Sequence, residues 1–204
     1  MATWQIREPV PIDWEIRQPD PAKITACTLD DGRFRQTAGH APLPGVTPAI
    51  WPWYLQRLDR KLTRGAAPSW PTASGTPATT SSSSGTGRSA PADRWHIVEA
   101  FGAGRRFLLD RTFHVTRFGD TGFTMEARRL GHAAAVIDER WQPEPAGLVR
   151  TVEMTVGSAA PGLRAVTKRV ARHRMALLQR RRQNNVEEAS NLPHFLPAVR
   201  PEGG

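Results

Sequence analysis

Asn184 and Glu188, four residues apart near the C-terminus, are the pair in this chain best spaced to do chemistry together. They close a run with no glycine after Gly162 and no proline between Pro161 and Pro193, which predicts one long helix from about Gly162 to Ser190. Residues at i and i+4 share a helix face, one above the other. At the end of a core helix, such a pair suits a metal ion or a reacting carbonyl. The same spacing also describes a helix tail with ordinary solvated polar groups. Upstream, Glu99 lies on a predicted strand, and Glu126, Asp138 and Glu153 sit among apolar neighbours in later ones.

These side chains need elements to position them. The segment His96–Phe101 reads as a strand ended by the glycine turn at 102–104, and Arg106–Val115 as a second. Gly122–Arg128, Ala133–Trp141 and Leu148–Val156 supply three more, each bounded by glycine or proline. In the last of these, period-2 alternation sets Val149, Thr151, Glu153 and Thr155 on one face. Leu148, Val152, Met154 and Val156 fall on the other. Antiparallel strands followed by one long helix predict an α+β domain, with Leu163, Val166, Val170, Leu177 and Leu178 of the helix facing the sheet. The expected architecture is a helix-grip fold, a curved antiparallel sheet closed around a long C-terminal helix, with a cavity between them.

The N-terminal half is less regular. Residues 1–48 are proline-punctuated and extended, with one expected strand at Lys23–Leu29 ended by the Asp30-Asp31-Gly32 turn. At 49–63 the pattern changes. Ile50, Trp51, Trp53, Tyr54, Leu55, Leu58 and Leu62 recur at helical spacing and predict an aromatic-rich helix, either core or the lining of a pocket for a planar ligand. Residues 64–94 are a Ser/Thr/Gly/Pro tract too poor in apolar surface to offset its ordering entropy, and are expected to be a disordered linker. Residues 95–204 are expected to form one domain with 1–63.

Composition narrows the function classes. The 204 residues, 39% apolar with eighteen prolines and seventeen glycines, suit one domain with a core. The single cysteine, Cys27, excludes an internal disulfide and a cysteine zinc cluster. No apolar run approaches the ~20 residues of a membrane span, and the first residues lack a signal-peptide core. A cytoplasmic protein with no membrane partner is expected. The net charge of +9 is concentrated in the predicted C-terminal helix, from Arg164 to Arg182. Those arginines fall around most of the helix without interleaved aromatics, which disfavours nucleic acid as a partner.

Two stretches resemble a known family. His96-Ile97-Val98-Glu99 before the glycine turn, and Asn185-Val186-Glu187-Glu188 continuing through Asn191-Leu192 to Phe195-Leu196-Pro197, are similar to the diacetylphloroglucinol and phloretin hydrolases. The similarity covers residues 45–62 and 95–200. It implies a helix-grip, Bet v 1-like fold and a bound zinc ion used to hydrolyse the carbon–carbon bond between an acyl group and a phenolic ring. The expected ligand is a small aromatic ketone or phenol, and Glu187 or Glu153 would carry the proton. The family's metal ligands are a Trp-His-Pro-x-x-His segment, a strand glutamate, and a histidine and glutamate four apart on the last helix. The glutamates match Glu99 and Glu188, while the helix histidine falls on Asn184. His114, His132 and His173 match no ligand position and read as structural.

The histidine segment should lie just before residue 95, where the Ser/Thr/Gly tract stands. With the third base of each codon joined to the first two of the next, the genetic code permits, from Trp70 to Thr80, Ala-Tyr-Arg-Leu-Trp-His-Pro-Arg-Asp-His. The tract therefore also reads as the family's metal segment out of frame. Without it, the alternative function is a non-catalytic helix-grip protein that binds a small aromatic or hydrophobic ligand.

Overall fold

A computed structural model of the chain describes residues 23–56, 63–64, 67–68, 80–83, 94–100, 108–160, 162 and 189–198. It is an α+β structure built on a curved, open antiparallel sheet. In chain order the elements are β1 (Lys23–Thr28), β2 (Phe34–Gly39), α1 (Ile50–Leu55), β3 (Thr63–Arg64), β4 (Ala67–Pro68) and β5 (Thr80–Ser83). Then come β6 (Arg94–Ala100), β7 (Leu108–Gly119), β8 (Gly122–Arg129), β9 (His132–Glu144) and β10 (Gly147–Val156). The main sheet runs β1-β2-β10-β9-β8-β7-β6-β5, with β3 and β4 paired separately.

The last five strands form a meander, as their periodicity and turn residues predict. β2 was not foreseen. Its residues, Phe34-Arg35-Gln36-Thr37-Ala38-Gly39, carry a weak apolar alternation, yet they pair along β10 from Phe34↔Val156 to Gly39↔Thr151. A strand with few apolar side chains is held there by its ladder and by the sheet edge it must cover. Within the Ser/Thr/Gly tract, Thr80–Ser83 pair with Trp95–Val98 as an edge strand.

Alternation sorts the sheet into two faces. The inner face carries Trp95, Ile97, Phe113, Val115, Phe123, Met125, Ile137, Trp141, Leu148 and Met154, all buried. α1 covers part of this face. Thr47 Oγ1 accepts the Ile50 amide at 3.2 Å and the Thr47 carbonyl accepts the Trp51 amide at 3.1 Å, closing the turn that leads into it. Pro52 is tolerated because a first-turn residue has no intrahelical acceptor for its missing N–H. Trp51, Tyr54 and Leu55 are buried in the core and Ile50 and Trp53 are partly buried against it, while Leu58 and Leu62 of the predicted helix lie outside the described residues.

The C-terminal stretch closes the same layer. Residues 189–195 are helical and Leu196–Ala198 form a 3-10 turn. The predicted helix ends at about Ser190, before Pro193, but helical structure continues through Pro193 and His194. Pro193 forfeits one hydrogen bond, and complete burial of Leu192 and Leu196 on either side offsets that loss. Phe195 lies 6.3 Å from Tyr54, ring centre to ring centre. A side chain at Gly45 would come within 2.9 Å of Pro197 Cγ, so the loop before α1 packs directly on the chain's last turn. The predicted helix over 163–188 lies outside the described residues.

Candidate functional site

Most of the inner face is apolar, and its polar exceptions mark the candidate site. Glu139 shares the parity of Ile137 and Trp141 on β9, and Arg150 that of Leu148, Val152 and Met154 on β10. Strand alternation therefore drives both charges inward. Their side chains are 5% and 4% exposed, and they satisfy each other. Arg150 Nε donates to Glu139 Oε1 at 2.8 Å, and Nη2 to Oε2 at 2.9 Å. Two parallel bonds between a guanidinium and a carboxylate are the strongest form of this pair.

Trp51 completes the cluster from α1. Its indole N–H donates to Glu139 Oε1 at 2.8 Å, and the Arg150 guanidinium carbon lies 4.1 Å from its ring centre. One aromatic side chain is thus held by a carboxylate at its edge and a cation on its face. Trp51 and Tyr54 lie 5.3 Å apart, which extends an aromatic row from the ion pair to Phe195. Gln36 and His40 are also buried on the β2 side, and the His40 amide bonds the Arg150 carbonyl. Chemically, the cluster can anchor a planar ring that carries one hydrogen-bond donor.

The carboxylates that the sequence singled out lie elsewhere. Asp138 is on the outer face, where Thr124 Oγ1 (2.6 Å), Arg140 Nε (2.7 Å) and Arg117 Nη2 (2.8 Å) converge on it. Partial burial pushes its pKa up, but the bonds from Thr124, Arg117 and Arg140 outweigh this and hold it below the ordinary aspartate value. Glu126 pairs with Arg128. Glu153 pairs with Arg35 at 3.3 Å, on the face away from Trp51, which removes it from the inner layer as a proton carrier.

The residues singled out by the resemblance are not brought together within the described part. Glu99 stands on β6 opposite Leu109, two and four positions beyond the buried Ile97 and Trp95. Glu188, Asn184, Glu187 and His173 lie outside the described residues. His96 is exposed, as its parity opposite to Glu99 requires, His114 is half-buried beside Glu126, and His132 is exposed at a turn.

By residue type, the donors that the resemblance assigns differ from zinc's usual set. Two carboxylates and an amide stand where the resemblance expects a histidine-rich set of the kind zinc favours. Among the described residues, no three His, Cys, Asp or Glu side chains are grouped to hold a metal ion. Sequence reading missed Glu139 and Arg150. The signal was there: opposite charges on the apolar parity of two successive strands.

No family model and no curated protein matches the sequence. Among solved structures, the protein NE0264 from Nitrosomonas europaea is similar at 8% identity and a TM-score of 0.40, over 76% of this chain and 94% of that one. CalU16 from Micromonospora echinospora is similar at 10% identity and a TM-score of 0.33, over 84% of this chain and 96% of that one. Among the described residues, no helix is long and apolar enough to cross a membrane.

Proposed function

We propose that this chain is a helix-grip protein of the acylphenol hydrolase lineage that receives a small phenolic ligand on the inner face of its sheet. In this form of the chain the ligand is bound and not hydrolysed. The observation that carries the reading is the aromatic row Trp51–Tyr54–Phe195, which joins α1 to the C-terminal motif over the Glu139–Arg150 pair. The carboxylate acceptor and cation face that hold the Trp51 ring suit a planar ring with one hydrogen-bond donor.

The hydrolase reading draws on Glu99 and Glu188, which keep the lineage's glutamate positions. Zinc would be the lineage's cofactor, but with Asn184 on the helix and serine and threonine in the histidine segment, the donors are too few for it. Titration of the purified chain with an acylphenol by calorimetry tests the binding reading, and acid release with zinc content tests the hydrolytic one. Expected are saturable binding, no stoichiometric zinc and no acid. Stoichiometric zinc with acid release would instead make the chain a working hydrolase. The nucleotide sequence across residues 64–94 tests the frame reading: codons that do not spell Trp-His-Pro in the shifted frame end it.

A further inference from the structure

We infer that Trp51 is an intramolecular stand-in for the ligand, its indole filling a phenol site and α1 serving as the plug that a ligand displaces. The inference rests on the proposed function in taking a small phenol as the ligand, and it adds where the ring sits and what must move. The Trp51 indole makes two polar contacts: its N–H donates to Glu139 Oε1, and its π face lies over the Arg150 guanidinium. A phenol offers the same two features in a smaller body, an O–H donor at the rim of an aromatic ring. Glu139 keeps both oxygens on Arg150 when Trp51 leaves, so the ion pair stays neutralised and one acceptor direction on Oε1 is freed.

That chemistry selects among aromatic ligands. Toluene fills the volume but leaves the Glu139 acceptor desolvated and unanswered. Benzoate brings a second carboxylate beside Glu139, which like-charge repulsion opposes. A neutral phenol meets both requirements. The plug is built to leave, because α1 has only six residues and a helix that short has no stability of its own. Its hold is the burial of Trp51, Tyr54 and Leu55 together with the bond to Glu139. Among the described residues, the inner face is filled by buried side chains, so a ring enters where α1 withdraws.

The test uses the full chain and phenol, toluene and benzoate as probes. In Trp51→Ala, phenol should bind at least about tenfold more tightly than toluene or benzoate, as expected when a hydrogen bond to a buried charged acceptor is gained. In the unaltered chain, saturating phenol should speed hydrogen exchange of the Trp51 and Gln56 amides, bonded to Thr47 O and Pro52 O, at least about tenfold. The β8–β10 amides should stay unchanged. Equal affinities for phenol and toluene in Trp51→Ala overturn the inference. So does phenol binding to the unaltered chain with the α1 amides unmoved, an outcome that leaves the phenol-binding function standing. Absence of phenol and acylphenol binding overturns both. Should Trp51→Ala not fold, the exchange measurement on the unaltered chain decides alone.

Discussion

Replacing Glu139 by glutamine tests the buried cluster most directly. Glutamine keeps the length and an acceptor oxygen but removes the charge that neutralises Arg150, whose side chain is 4% exposed. A guanidinium left alone in that place has neither water nor a counterion, and breaking such a pair from one side costs about 3–5 kcal/mol. That is a large share of the roughly 5–15 kcal/mol by which domains of this kind are stable. The reverse substitution, Arg150→Met, strands Glu139 and should cost about as much. Removing both charges together should cost far less, because apolar replacement of a whole buried pair is close to neutral. The double variant Glu139→Leu/Arg150→Met still leaves the Trp51 N–H without its acceptor, a penalty of about 1–3 kcal/mol. Adding Trp51→Phe removes that orphan. The triple variant should therefore return to within about 2 kcal/mol of the unaltered protein while each single charge removal remains expensive. Urea unfolding of these proteins and of Glu139→Leu measures this, and the excess of the summed Glu139→Leu and Arg150→Met effects over the double is the coupling energy. Single variants that cost under about 1 kcal/mol, or a triple variant as unstable as the worst single, would refute the burial argument.

Other perturbations test separate parts of the fold. Leu130 stands at φ 50° in the two-residue turn between β8 and β9, 79% exposed, a conformation that branched side chains resist. Leu130→Asn should stabilise by roughly 0.5–1 kcal/mol and raise Tm by about 1–4 °C in a calorimetric scan. Leu196→Ala should cost about 2–5 kcal/mol in urea unfolding, because Leu196 is fully buried, whereas a mere tail residue would cost nothing. Asp138 has a folded pKa below its unfolded value, so its contribution is present at neutral pH and fades as pH falls below about 4. The Tm difference between the unaltered protein and Asp138→Asn should therefore be largest near neutrality and shrink toward pH 2–3. A difference that grows on acidification contradicts the assignment. Gly147→Ala should be strongly destabilising by the same urea assay, since its Cβ would run into the Leu43 carbonyl at a φ of 131°.

Local pattern alone determined much of this molecule. Alternation and glycine or proline boundaries located β6 to β10 within a few residues, because each strand of a meander pairs with its neighbour in sequence and carries its own apolar parity. The aromatic spacing at 50–55 likewise announced a buried helix face. What lay beyond local reach was pairing across distance. β2 is a strand because β10, more than a hundred residues later, offers an open edge, and nothing in Phe34–Gly39 states that. The helix runs through Pro193 because the layer beneath it buries Leu192 and Leu196, a gain that local proline rules do not count. Glu139 and Arg150 share the apolar parity of their strands, but nothing local says that they meet each other under Trp51, 88 residues upstream of Glu139. Sequence thus fixes which face a strand residue takes. Only the folded sheet decides which distant side chain meets it there, because a buried charge is tolerated solely where its partner arrives.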